Sequence, residues 1–424
     1  MSDKKSIVLD NNQSFIAGPG SLTELTFPES FLLGAASSAH QVEGNNTKND
    51  WWMHEQMGRL PKSGEACDHY NRYEEDFKIA KKLGLNSFRI SLEWSRIEPS
   101  EGKWNGKEIE HYRKVLKILK ELGMTRMVTL HHFTLPTWVT EFEGFETKRG
   151  VEAFARFAWF VAENLGDEID LWCTINEPRV YVGQGFVHGL WPPFKKNYFQ
   201  TLNAFLKLIE AHKAAYRAIK EVRPEAKVGV VENLPYNEPF FPSHLLDRLL
   251  TKFVTFFVND YFLDRVRNEM DFVGLNYYFY HHLKFHHKHG GQDMNKNRYE
   301  EYRHDHSKFK RSDMGWRLFP EGLYHLLKSL KRYNKPIYVT ENGLADSKDT
   351  HRYEYIKEAL IAVKHAMDEG ADVRGYFYWS LTDNYEWADG FWPRFGLVEM
   401  DYETQKRKIR DSAKIFKEIK LRSN

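Results

Sequence analysis

Leu171-Trp172-Cys173-Thr174-Ile175-Asn176-Glu177-Pro178 is the stretch on which the reading of this chain turns. Strand-forming residues lead into an amide and a carboxylate, and Pro178 then ends any strand. A second stretch has the same grammar: Pro336-Ile337-Tyr338-Val339-Thr340-Glu341-Asn342-Gly343. A short apolar run that closes on a polar group is the pattern of a parallel strand buried on both faces, with a functional residue at its exit.

Outward from these two, six more strand-like runs appear. In order the eight cover residues 31–36, 87–94, 125–132, 170–176, 227–234, 271–278, 336–340 and 373–380. Amphipathic helical stretches lie between them, at 70–83, 107–122, 150–165, 198–222, 245–267, 321–333 and 351–369, and 412–420 closes the chain. Gly84, Gly123 and Gly166 stand just past three of these helices, where glycine is a stop signal. Eight alternating β-α units predict an α/β fold, a (β/α)8 TIM barrel in a single domain over 26–424. Residues 1–25 read as an N-terminal tail or strap with a turn at Gly18-Pro19-Gly20. The runner-up is an open doubly wound sheet, which lacks the Gly-x-Gly-x-x-Gly expected after its first strand. The polar stretch 284–311 reads as a long excursion after strand six.

Composition narrows the function classes. The 424 residues are 42% apolar, enough for a large core, and 61 Lys+Arg against 59 Asp+Glu leave a net charge of +2. Such a balance offers no field for nucleic acid or an anionic membrane. No run approaches the ~18 apolar residues of a membrane span, and the first 25 residues lack the apolar core of a signal peptide. The two cysteines, Cys67 and Cys173, fit a reducing cytoplasm, with one disulfide left open. Aromatic residues make up 15%, with 12 Trp and 22 Tyr. Most fill the core, and the remainder suit a cleft that stacks flat ligands such as sugar rings.

The strand exits concentrate polar and aromatic groups: Gln41 after the first, Arg89 and Glu93-Trp94-Ser95-Arg96 on the second, and His131-His132-Phe133 on the third. Asn176-Glu177, Asn276-Tyr277-Tyr278, Glu341-Asn342 and Trp379-Ser380 end the fourth, sixth, seventh and eighth, and Asp383-Asn384-Tyr385-Glu386-Trp387 follows. A packing core has no need of such a rim. Two carboxylates from distant strands that meet at a barrel mouth are the minimum equipment for breaking a glycosidic bond.

Taken together these motifs resemble family 1 of the glycoside hydrolases, the β-glucosidase and β-glycosidase family. The similarity runs from Phe27-Pro28-Glu29-Ser30-Phe31 to about Asp401. By this resemblance Glu177 is the general acid/base and Glu341 the nucleophile, supported by Arg89, Asn276 and Tyr278. Asn176 would hold the sugar 2-hydroxyl. Gln41, His132, Trp379, Glu386 and Trp387 match the residues that grip the non-reducing-end sugar, with Glu386 on its 4- and 6-hydroxyls. A carboxylate there argues against 6-phospho-sugars. Trp316, in Met314-Gly315-Trp316, matches the platform for the leaving group, and Phe395 a pocket wall. Glu177 stands where some S-glycosidases carry Gln, which indicates O-glycosides.

The chain departs from the family pattern in two places. Phe133 stands where many members have Trp, and only 36 residues separate strand five from Asp271, where many have more. The resemblance implies a retaining exo-β-glycosidase acting on terminal β-D-glucosides, with β-galactosides and β-fucosides as further substrates, by double displacement. Its partner is a small or oligosaccharide β-glycoside, with no nucleic acid; a homo-oligomer is left open. No cofactor and no metal are expected, and His281, His282, His286, His287 and His289 read as a solvated loop. The rivals are a transglycosylase using the same residues, a sugar-binding protein on a retired barrel, and an endo-glucanase.

Overall fold

A computed structural model of the protein describes residues 25–285 and 310–422. Eight strands form a closed parallel barrel: β1 (Leu32–Ala36), β2 (Ser87–Ser91), β3 (Thr125–His131), β4 (Leu171–Asn176), β5 (Lys227–Asn233), β6 (Phe272–Tyr277), β7 (Ile337–Asn342) and β8 (Val373–Trp379). Each pairs with the next in chain order, and β8 closes on β1 with Trp379 opposite Ala36. The expected (β/α)8 barrel is the fold.

The outer layer holds α1 (His69–Lys82), α2 (Gly106–Glu121), α3 (Lys148–Leu165), α4 (Tyr198–Val222), α5 (Leu245–Thr255), α6 (Glu321–Leu330) and α7 (Arg352–Asp368). On α3, Val151, Phe154, Phe157, Ala158, Val161 and Leu165 recur every three or four residues and are all buried. The hydroxyl of Thr147 opens this helix by accepting the Gly150 N–H at 3.2 Å. Asn197 starts α4 in the same way, accepting from Phe199 N at 2.9 Å. Gly84 and Gly123 stop their helices in the left-handed conformation, with φ of 92° and 65°. Gly166 remains right-handed and leads into the 3-10 turn Gly166–Glu168.

Strand alternation divides the core in two. Met127, Leu171, Cys173, Val231, Phe272, Tyr338 and Phe377 fill the barrel interior. A larger apolar layer, including Trp94, Phe157, Trp172, Val230 and Leu327, lies between strands and helices.

Several expectations need correcting. The second strand stops at Ser91, because Glu93 accepts the Ser95 N–H and opens a short helix, Trp94–Ile97. The helix expected over 245–267 is interrupted at Phe256–Asp260 by a turn of π-helix before it resumes over Tyr261–Val266. The expected final helix is a 3-10 run, Asp411–Lys417; Lys420–Arg422 is instead a strand, parallel to Thr26–Pro28. Cys67 and Cys173 are both free and buried, so no disulfide joins them. The tail, apart from Leu25, and His286, His287 and His289 lie outside the described residues. His282 sits against the Tyr280 hydroxyl at 2.5 Å.

Candidate active site

Glu177 leaves β4 with φ 46° and ψ 58°, a left-handed backbone that costs a non-glycine residue about 1–3 kcal/mol. Its N–H donates to the Val231 carbonyl at 2.8 Å, and Pro178 starts the helix Pro178–Val182 immediately after it. The backbone thus turns the carboxyl into the barrel mouth. There Oε1 accepts from Asn276 Nδ2 at 2.6 Å and from Asn233 Nδ2 at 3.1 Å.

Glu341 lies within β7, opposite Asn276 of β6, where the register slips. The strand therefore runs two residues beyond the expected end at 340, and the carboxylate belongs to it. Arg89, fully buried on β2, donates Nη1 to Glu341 Oε1 at 2.5 Å. The Tyr278 hydroxyl donates to Oε2 at 2.9 Å. Arg89 also donates Nη2 to Asn176 Oδ1 at 2.7 Å and Nε to Thr129 Oγ1 at 3.1 Å. Asn276 Nδ2 reaches the same Asn176 oxygen at 3.2 Å, and Thr340 Oγ1 donates to Asn276 Oδ1 at 2.7 Å. One hydrogen-bonded chain therefore joins the two carboxyls through Arg89, Asn176 and Asn276.

The two carboxyls differ in their surroundings. Burial, and then the charge of Glu341, push Glu177 up to about 8 against the pull of the two amides and Arg179. Burial also pushes Glu341 upward, but Arg89, Tyr278 and Asn276 pull it back. Repulsion between the two carboxyls disfavours ionising both, and the Arg89 guanidinium favours placing the negative charge on Glu341. Such a pair is equipped for one group to donate a proton while the other attacks.

A stack of rings flanks the pair. His132 lies between Trp379 and Trp387, with centroids at 5.9 and 6.0 Å and interplanar angles of 21° and 17°. Burial and the Arg89 charge hold its imidazole well below the usual histidine range, so it is neutral. Asn176 Nδ2 lies 3.2 Å from its Nε2. Gln41 Nε2 donates to the Tyr385 carbonyl at 2.8 Å and to Glu386 Oε2 at 3.4 Å. Glu386, still partly exposed, is pushed up to about 8 by burial, by Asp389 and by the two site carboxyls. Gly343 lets this wall close: a Cβ there would stand 2.0 Å from the Trp379 carbonyl oxygen. Trp316 and Phe395 pack edgewise around Tyr278, at 5.8 and 6.4 Å.

The match of this chain to the model of glycosyl hydrolase family 1 covers residues 23–267 and 254–424. The chain belongs to that family. Among family 1 relatives, β-glucosidase A of Thermotoga maritima is 33% identical over 91% of this chain and 96% of its own length. A β-galactosidase of Pyrococcus woesei is 32% identical, covering 93% and 96%. The solved β-glycosidase from Pyrococcus horikoshii superposes with a TM-score of 0.84 at 38% identity, over 93% of this chain and 94% of that one. The chain is accordingly a glycoside hydrolase.

In this family 1 enzyme the hydrogen bonds and ring contacts of the site link the residues singled out from the sequence, with Arg89 reaching in from the middle of β2. Others had been missed. Asn233 holds Glu177, and its signal was an amide at the exit of β5, the one strand for which no exit residue had been singled out. Trp51 and Trp191 pack on Trp387 at 4.5 and 5.8 Å, and Trp191 packs on Phe133 at 5.0 Å. They come from connecting segments, where no period marks them. Phe133, where many members have Trp, packs against Trp191 and Trp387, the latter at 5.2 Å.

Proposed function

We propose that the chain is a retaining exo-β-glycosidase of terminal β-D-glucosides, with β-galactosides and β-fucosides as further substrates. The unequal surroundings of Glu177 and Glu341 carry the reading. Glu341, paired with Arg89, attacks the anomeric carbon while Glu177 gives its proton to the departing glycosidic oxygen. The glycosyl-Glu341 ester is then cleaved by water, whose proton Glu177 takes back. Asn176, already fixed by Arg89 and Asn276, holds the sugar 2-hydroxyl, a contact that tightens in the transition state. Gln41, His132, Glu386, Trp379 and Trp387 bind the sugar, and Trp316 and Phe395 border the leaving group. Relatives named for β-glucosidase and β-galactosidase activity support both sugars. No metal or cofactor enters this scheme. The two buried free thiols favour a cytoplasmic location.

The decisive experiment is Glu341→Gly. Turnover should fall by at least about a thousandfold, and azide should restore it as an α-glycosyl azide. Absence of rescue overturns Glu341 as nucleophile. EDTA should leave the rate unchanged.

We further infer that a second copy of the chain covers one face of the barrel. Tyr198, Phe199 and Leu202 on α4 and Leu245, Leu249 and Phe253 on α5 are exposed, Phe199 by 88% and Phe253 by 63%. Phe205 of α4 stacks at 5.9 Å on Tyr261, at the start of the helix Tyr261–Val266 that continues the α5 segment. Three aromatic side chains of ~150–250 Å² each and three leucines, exposed by 51–88%, leave on the order of 800 Å² of apolar surface. That exceeds the ~300–600 Å² of an ordinary monomer patch and matches the ~800 Å² each partner gives to a stable interface. Sedimentation velocity should show a dimer or larger species that Phe199→Glu with Phe253→Glu dissociates. A wild-type monomer, or a wild type that collects on lipid vesicles in place of self-associating, overturns the inference.

A further inference from the structure

Behind Glu177 the chain carries two charges that the mechanism above does not use. Arg179, on the helix Pro178–Val182, donates Nη2 to the Asn233 carbonyl at 2.7 Å, while its Nε has no partner among the described residues. Glu232, on β5, is 1% exposed, and neither of its oxygens has a hydrogen-bond partner among the described residues. Alternation along β5 explains its place: Val231 lies in the barrel interior and Asn233 reaches Glu177, so Glu232 faces outward, on the side of Val230. Glu232 is also bracketed by the two β5 residues that hold Glu177, the Val231 carbonyl and the Asn233 amide. A buried carboxyl with both oxygens unsatisfied is rare in folded proteins and contributes nothing to packing that a leucine would not.

We propose that the half-buried Arg179, bonded to the Asn233 carbonyl, and the buried Glu232, which precedes Asn233 in sequence, are positioning residues that set how tightly Glu177 holds its proton. The inference rests on Glu177 as the general acid/base. The charged groups acting on Glu232 are Arg179 and Glu177, and those acting on Arg179 are Glu232 and Glu177. Glu177 itself feels Glu341 and Arg179. Arg179 alone draws Glu177 toward its ionised form. Glu232, when ionised, cancels that pull and opposes a second negative charge nearby. Burial pushes Glu232 up to about 8 against the pull of Arg179. The couple thereby keeps the acid protonated to higher pH than the arginine alone would allow.

The test is the basic limb of kcat/KM against pH on an alkyl β-glucoside, whose poor leaving group needs the Glu177 proton. Glu232→Gln should move the limb to lower pH by about half a pH unit or more, and Arg179→Met should move it upward by a similar amount. Arg179→Lys and Glu232→Asp, which keep the charges, should return the limb toward its wild-type position. A purely structural role would lower the rate at every pH without opposed displacements. If Glu232→Gln fails to fold, Arg179→Met against Arg179→Lys decides. Glu177→Ala separates the two readings. A basic limb that survives in Glu177→Ala removes Glu177 as the acid. A limb that vanishes there, yet stays in place in both Glu232→Gln and Arg179→Met, overturns the charge couple alone.

Discussion

Glu177 differs from an ordinary strand-end glutamate in two ways: its backbone is left-handed, and it feels the charge of a second carboxyl, Glu341, that pairs with an arginine. A general acid must hold its proton to be useful. With its carboxyl pushed up to about 8, Glu177 is protonated below that pH and loses its proton above it. Hydrolysis of alkyl glucosides should therefore hold steady toward neutrality and fall about tenfold per pH unit above ~8. Glu177→Ala should depress alkyl glucosides and cellobiose by at least about a hundredfold more than aryl glucosides with acidic phenols, because only poor leaving groups need the proton. Equal losses on both, measured as kcat/KM, would remove the acid role. Both carboxylates were legible as residues, since each ends an apolar run. Their division of labour was legible only through the family resemblance, because it depends on Arg89, Tyr278 and Asn233, which come from other strands. Arg179 and Glu232 were illegible: within Val230-Val231-Glu232-Asn233 nothing shows which side chains face outward.

At the scale of elements, the segment after β8 carries Glu386 and Trp387 of the proposed sugar site, and a buried aspartate holds it. Asp383, fully buried, accepts both Nη atoms of Arg410 at 2.8 and 2.9 Å and the Gly396 N–H at 2.8 Å. Removing one partner of a buried pair strands the other's charge, at a cost of about 3–5 kcal/mol. Asp383→Ala should lower the denaturant midpoint accordingly and, in the fraction that stays folded, raise KM, because Glu386 and Trp387 hang from the same segment. Unchanged stability would show that Arg410 finds other partners. The strand and helix pattern was readable because both periods are strong in a large barrel. The places where it failed have local causes: Glu93 caps a helix that interrupts a strand-like run, and Lys420 pairs with a strand at the far end of the chain. Single-sequence periodicity reports neither event.

For the molecule as a whole, the two described ends are fastened to each other. Thr26–Pro28 lies parallel to Lys420–Arg422, with Lys420 N donating to the Leu25 carbonyl and Glu29 N to the Arg422 carbonyl, each at 2.9 Å. Phe27 and Ile419 are buried at this seam. Ending the chain at Glu418 should cost about 2–4 kcal/mol through lost apolar packing, seen as a lower thermal midpoint while kcat/KM at moderate temperature is retained. A truncated protein as stable as the full chain would show that the seam is incidental.

The ring stack around His132 has an optical consequence. Of the 12 tryptophans, Trp51, Trp191, Trp316, Trp379 and Trp387 crowd the barrel mouth, and three of them lie within 6 Å of a neighbour in one cluster. Indoles this close exchange excitation, so they emit as a group rather than singly. A sugar ring that displaces solvent from Trp379 and Trp387 changes the polarity felt by the whole group. The enzyme therefore carries its own reporter of occupancy: titration of a slowly hydrolysed glycoside can be followed by intrinsic emission, with no dye or label attached.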